Sequence, residues 1–586
     1  MGRATGLEIL RATPVLFAII LIAIFLLHLP LLRLPYFWDE AGYYVPAARD
    51  ILLTGSFIPH STVSNAHPPL VMAWLALWWK VVGYAPLVTR TAMLVMAAFS
   101  LVGVFRLAER AANAQVAIAA TVCTAVYPVF FAQSSLAHVD LAAAGLIFWG
   151  LAAYLEGAAV ATAVWFSLAA LAKETAILAP LALAGWEMVG LAAQGSSWRG
   201  LWGDENILRR LKPSSRETGD RSAEALRSPK SSSGLSLAAI SEGRALPKTL
   251  NSENSAAAGR RIFSLFIPVL PLGLWYGYHY ARMGYVFGNP EFFRYNVAAT
   301  LSPVRFVLAL AMRVWQIGGY LHLWILTLAM LLAMWMLPAQ KDENGERPRI
   351  GISVQMIFYV IIFTYVAAMA LIGGAVLARY MLPAVPLMII VSVSTLWRRV
   401  ALWQVVIAFV VVAFVGAWFW NPPYGFSPED NLAYRDYVVL HEDGERFLEA
   451  RYPMTRVLTA WPVSDELTRP WLGYVTRPMS VVRIEDFSLD EVLSAAEFRS
   501  GGDRRYGAAL VFSTKYESGL ARWDHWRRWT ELKSRFFGFH RDLSPAAAAG
   551  ILGGRVVFSE QRQGQWIAVI EMEQEEVQDA EIRLQK

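Results

Sequence analysis

Apolar stretches about the length of a bilayer crossing recur along this chain, and that recurrence limits its fold more than any other feature. A helical crossing needs roughly 20 apolar residues, because its backbone polar groups must be satisfied within the segment. Such runs lie at about 15–32, 87–107, 114–131, 140–157, 159–172, 174–193, 261–281, 310–337, 351–373, 376–397 and 402–420. Composition agrees: the 586 residues are 56% hydrophobic and only 17% charged, too apolar for a soluble globular protein. The predicted fold class is a polytopic α-helical membrane protein of about 11 spans, with a soluble α/β domain at its C-terminal end.

The first run follows Arg3 and Arg11, as a signal peptide would, but it is long and no small-residue cleavage site follows it. It is expected to be a retained first span with a cytoplasmic N-terminus. Orientation follows from the basic loops. Arg106 and Arg110, the linker 194–261, Lys341 to Arg349, and Arg398-Arg399 fall on one side only if the short Trp-rich segment 70–82 does not cross. The positive-inside rule makes that side cytoplasmic. Segment 70–82 is then a juxtamembrane helix, and Asp39-Glu40, the loop 133–139 and the C-terminal region face outward.

Four regions are expected. Residues 1–194 form an N-terminal membrane region with outer loops, and residues 195–260 a disordered cytoplasmic linker. Residues 261–420 form a second membrane region, and residues 421–586 a soluble periplasmic domain. The linker is rich in Ser, Gly, Pro and mixed charge, too polar to pack a core. In the last region, 457–461 and 508–512 read as buried strands and 555–559 with 566–571 as a closing hairpin. Helical patterns lie at about 429–450, 488–498 and 520–533, which suggests an α/β layer domain. A single cysteine, Cys123, excludes an internal disulfide and a cysteine-based zinc site.

Charged residues at the ends of apolar runs are the candidates for chemistry, because ionisable groups inside hydrocarbon are costly. Asp39 and Glu40, in Trp38-Asp39-Glu40 just beyond the first span, read as an interfacial stop, as a carboxylate serving as general base toward an acceptor hydroxyl or amine, or as a cation holder. Asp140 either complements a helix dipole or supplies a second carboxylate. Lys173 either pairs locally with Glu174 or meets a phosphate as a point charge. Arg379, with Tyr380 beside it, either snorkels to lipid headgroups or offers its donor fork to phosphate oxygens. His60, His67 and His138 also face outward, without close metal-ligand spacing.

In this order the motifs resemble the C-type integral-membrane glycosyltransferases, specifically the bacterial branch of family 39 related to protein O-mannosyltransferases and the aminoarabinose transferase of lipid A. The resemblance spans roughly residues 10–420. It rests on Trp38-Asp39-Glu40, His67-Pro68-Pro69-Leu70, His138-Val139-Asp140, Leu171-Ala172-Lys173-Glu174 and Arg379-Tyr380-Met381-Leu382-Pro383. It implies inverting sugar transfer from a polyprenyl-phosphate-linked donor, with Asp39 as general base and Glu40 and Asp140 as supporting carboxylates. Lys173 and Arg379 would hold the lipid phosphate, and Tyr380, His67 and Tyr43 would line the substrate site.

The acceptor stays open between protein, lipid and glycan. No metal ligand is assigned, and use of a divalent cation is left open. The expected partners are the lipid-linked donor and the bilayer of the plasma (inner) membrane, with no nucleic acid. The competing readings are a transporter or flippase of a lipid-linked anionic substrate, which would favour internal repeats, and a membrane anchor for the C-terminal domain.

Overall fold

A computed structural model describes residues 13–192, 258–286, 288, 302–339, 341–342, 345–372, 374–497, 505–516 and 526–573. Nearly all of the expected linker 195–260 lies outside the described residues, and its last three residues already belong to the next helix.

Among the described residues the membrane region is helical apart from its loops and a small antiparallel ribbon, Lys341–Asp342 with Gly345–Glu346. Its elements are α1 (Thr13–His28), α2 (Val45–Thr54), α3 (Leu70–Val82), α4 (Pro86–Ala111), α5 (Ala114–Val126), α6 (Val139–Leu155), α7 (Ala159–Ala172), α8 (Leu178–Ala192), α9 (Val269–Met283), α10 (Pro303–Gly318), α11 (Leu323–Met334), α12 (Ile352–Ile372), α13 (Val385–Arg399) and α14 (Trp403–Phe419). Among the described residues, six helical segments are long and apolar enough to cross a membrane: Thr13–Leu31, Pro86–Ala111, Glu174–Ala192, Ala258–Met283, Pro303–Met334 and Ile352–Ile372. Helices α5, α6, α7 and α14 are apolar but shorter, as is α3.

Three of the expected spans are interrupted, each for a local reason. The run 114–131 breaks at Tyr127-Pro128, where Tyr127 turns to an extended ψ of 126° and a short helix, Pro128–Gln133, restarts. The run 310–337 starts earlier and kinks at Leu321 and His322, both with positive φ. The run 376–397 does not begin as one helix. A 3-10 turn, Ala378–Met381, carries Arg379, and α13 starts only after Pro383.

Small residues bring the central helices together. A Cβ on Gly145 of α6 would lie 1.9 Å from Ser100 Oγ of α4, so that crossing closes only because Gly145 has no side chain. Around it α6 is buried almost along its whole length, and α7 packs on its other side.

The C-terminal region contains a five-stranded sheet in the order β2-β1-β3-β5-β4, with β1 (Val457–Ala460), β2 (Val481–Ile484), β3 (Ala508–Phe512), β4 (Gly554–Arg562) and β5 (Gln565–Met572). Strand β1 runs parallel to β2 and β3, in register Leu458↔Val482 and Leu458↔Ala509. The β4–β5 hairpin closes through Gln563-Gly564, both at positive φ, which suits the right-handed twist of the strands. Helix α15 (Ala433–Arg451) covers the hairpin, and α16 (Val463–Thr468) follows β1. Strand β2, half-exposed and charged at Arg483, was not expected from its sequence, because it lacks the buried apolar run that marks β1 and β3.

The membrane and C-terminal regions meet at the first loop. Trp38 packs edge-on against Tyr437 of α15 and against Trp461, with ring centroids 5.7 and 5.1 Å away. Tyr474 Oη donates to the Tyr36 carbonyl at 3.0 Å, and a Cβ on Gly42 would strike the Trp461 ring at 2.5 Å. Gly42 is therefore required by close approach.

Candidate active site

The first loop places its carboxylates in opposite directions. Trp38 adopts φ of 41°, a left-handed conformation unfavourable for a bulky residue and typical of strain held at functional sites. A π-helical turn, Glu40–Tyr44, follows directly. Between them, Asp39 points into a cavity of about 520 Å³ while Glu40 points into the protein.

Glu40 is fully buried in an ion pair with Arg90 of α4, and it accepts hydrogen bonds from the backbone N–H groups of Phe37 and Ala137. Arg90 also donates to the carbonyls of Ser135 and Pro35. Glu40 thus ties the first loop to the loop before α6. It is not among the residues that line the cavity.

Asp39 makes an ion pair with Arg379, and its side chain remains 31% exposed where those of Asp140, Glu429 and Arg379 are each at 3%. The Arg379 guanidinium also meets Glu429 at 2.5 Å, Asp140 at 3.4 Å and His138 Nδ1 at 3.0 Å. Lys173 pairs with Asp140 at 2.5 Å and lies 4.0 Å from the centroid of the Tyr380 ring. Lys173 does not pair with its neighbour Glu174, which instead meets His67 Nδ1 at 3.1 Å. The local Lys173–Glu174 pair is therefore replaced by two longer-range ones. Asp39, Tyr43, His67, Lys173, Arg379 and Tyr380 all line the cavity. Asp140 stands behind them, joined to both cations.

Four participants escaped sequence reasoning: Arg90, His138 as a partner of Arg379, Glu429 and Asp430. Arg90 lies within an apolar helix, where a fully buried arginine demands a partner. Glu429 and Asp430 lie just beyond α14, in a 3-10 turn, Pro428–Asp430, that read as the start of a soluble helix. Burial raises the Glu429 carboxyl above the usual range, against the opposing pull of Arg379. Asp430 is raised for the same reason and accepts a hydrogen bond from Tyr320 Oη at 2.6 Å. His138 is held far below its ordinary pKa, first by burial and then by Arg379, so it stays neutral. One oxygen or nitrogen from each of Asp39, His138 and Glu429 lies within 4.8 Å of the others, a spacing open to a cation. The Arg379 guanidinium already bonds all three. These residues therefore fit a metal poorly unless Arg379 moves away.

No family model matches the chain, and no curated protein matches it. It is similar to several solved structures. ArnT from Cupriavidus metallidurans bound to undecaprenyl phosphate aligns over 95% of this chain and 98% of that one, at 12% identity and a TM-score of 0.47. An oligosaccharyltransferase from Archaeoglobus fulgidus in complex with zinc and sulfate aligns over 85% and 68%, at 10% identity and a TM-score of 0.41.

The chemistry of the cavity can be read from its own walls. Two cations and a partly exposed carboxylate line it. Ile177, Leu178, Leu272, Met369 and Ile372 add an apolar lining. Such a space suits a ligand with an anionic head and a hydrocarbon tail.

Proposed function

We propose that this protein is a membrane glycosyltransferase that moves a sugar from a polyprenyl-phosphate carrier to an acceptor at the outer membrane face. The observation that carries this reading is a cavity uniting an apolar wall from membrane helices with Asp39, Lys173 and Arg379. A polyprenyl chain suits the apolar wall, and the phosphate suits the two cations, with Arg379 offering a fork and Lys173 a point charge.

The resting contact between Arg379 and Asp39 gives the reaction its order. Phosphate oxygens entering the cavity compete for the same guanidinium that Asp39 holds. Donor binding then frees the Asp39 carboxylate from its counter-charge, which turns to the phosphate. The acceptor hydroxyl or amine attacks the anomeric carbon from the face opposite the phosphate. The new bond to carbon forms as the sugar–phosphate C–O bond breaks, with inversion, and the acceptor proton passes to Asp39. The leaving lipid phosphate is stabilised by Lys173 and Arg379, which are pre-placed by Asp140 and Glu429.

The test is an assay of purified enzyme in detergent with radiolabelled polyprenyl-phosphate sugars. Asp39→Asn is expected to fold and to lose transfer; full activity in that variant would remove Asp39 from the role of base. Outer-face placement is tested separately, by labelling of a cysteine at Ser61 with a membrane-impermeant reagent in intact cells.

A further inference from the structure

Away from the cavity, the C-terminal region encloses a second group of ionisable side chains. His441 and Glu445 lie four residues apart on α15, so they share one helix face, and Glu466 approaches from α16. All three are buried, at 1%, 0% and 0% exposure. His441 Nδ1 lies 2.8 Å from Glu466 Oε2, and one donor atom from each residue falls within 4.8 Å of the others.

What this group lacks is a counter-charge. Among the described residues, no lysine or arginine pairs with Glu445 or Glu466. Both carboxylate oxygens of Glu445, and Oε1 of Glu466, are buried with no cation or backbone N–H against them among the described residues; Glu445 faces the Glu466 carboxylate. The Tyr437 hydroxyl nearby is buried without a hydrogen-bond partner among the described residues. An unsatisfied buried carboxylate is among the more costly groups a protein can hold.

We infer that His441, Glu445 and Glu466 form a binding site for one divalent transition-metal ion of the zinc class. An imidazole with two carboxylates is a donor set that zinc accepts, and the histidine disfavours magnesium and calcium, which take oxygen ligands. Three protein donors leave a coordination position for water.

The location suggests what the ion does. The Tyr437 ring packs on His441, with centroids 3.8 Å apart, and it also meets Phe37 at 5.1 Å and Trp38 at 5.7 Å. Tyr474, which holds the Tyr36 carbonyl, flanks the His441 ring at 6.4 Å. An ion bridging α15 and α16 would stiffen the surface on which the strained Trp38 rests. Its role is structural, on the supporting side of the Asp39 loop.

The experiment uses full-length protein in detergent, dialysed against EDTA, reloaded with zinc chloride and desalted. Metal is counted by inductively coupled plasma mass spectrometry, and unfolding is followed by heating. Wild type is expected to retain about one zinc per chain and to unfold at a higher temperature than its EDTA-treated form. Glu445→Gln, which keeps the side-chain shape, and His441→Ala are each expected to lower zinc affinity at least about tenfold. Asp39→Asn should retain the ion. The proposal is overturned if wild type retains no zinc, in which case the carboxylates share a proton instead. It is equally overturned if Glu445→Gln binds like wild type, or if Asp39→Asn loses the ion while Glu445→Gln keeps it. None of these readouts depends on the transferase reading, since each counts metal or heat stability and not turnover.

Discussion

Arg379 donates through Nη2 to Asp39 Oδ2, joining two residues 340 positions apart in the chain. The same guanidinium reaches Glu429 and Asp140, so a single arginine is surrounded by three carboxylates. With Lys173 on Asp140, the cluster holds two cations and three acids. An anionic ligand in the cavity would compete with these acids for the two cations, and Asp39, the only one of the three that lines the cavity, is the most open to that competition.

Removing the proposed base should be specific. Asp39→Asn is expected to lower kcat by about 10²–10⁴-fold, the usual contribution of a general base, with little change in thermal stability. Turnover measured alongside a melting curve checks this. Equal losses in both would mean that Asp39 serves the fold.

Glu40→Gln should behave in the opposite way. It leaves Arg90 buried without its counter-charge and weakens the hold on the Phe37 and Ala137 N–H groups. Breaking a buried pair typically costs about 3–5 kcal/mol, so a lower unfolding temperature or poor yield is expected first. A double substitution that neutralises both partners, Glu40→Gln with Arg90→Met, should recover some of the loss.

Arg379→Lys keeps the charge but loses the fork that reaches four partners. The expectation is a raised KM for the lipid-linked donor, with transfer impaired by at least about tenfold. Kinetics at varied donor concentration distinguish this from lost acceptor activation. An unchanged KM would exclude Arg379 from phosphate binding.

Stability should also depend on pH through Glu429. Its folded-state pKa is raised above that of the unfolded chain, mainly by burial and against Arg379, with Asp430, Asp39 and Asp140 adding to the rise. A raised carboxyl contributes stability that is fully present below the unfolded value. That contribution is lost as pH climbs through the folded value. Melting temperature should therefore fall from mildly acidic toward neutral and higher pH, and Glu429→Gln should flatten that stretch of the curve.

Much of the site was legible because its members are polar residues at the ends of apolar runs. Asp39, Lys173 and Arg379 stand out against hydrophobic surroundings, and each lines the cavity. Which residue pairs with which was not legible. Sequence adjacency favours Lys173 with Glu174, and packing instead joins Lys173 to Asp140 and Glu174 to His67. Glu40 looks like the twin of Asp39 in the sequence, yet the left-handed turn at Trp38 sends the two to opposite sides of the loop.

The helical character of the membrane region and the strands Val457–Ala460 and Ala508–Phe512 were determined locally, by apolar run length and by turn residues at their ends. The pairing of Arg90 with Glu40, the gathering of Glu429 and His138 around Arg379, and the buried triad His441–Glu445–Glu466 were decided only by tertiary structure. The physical reason is the same in each case. A buried charge must find an opposite charge, a donor or an ion wherever the fold provides one, and no local pattern in the chain specifies that partner.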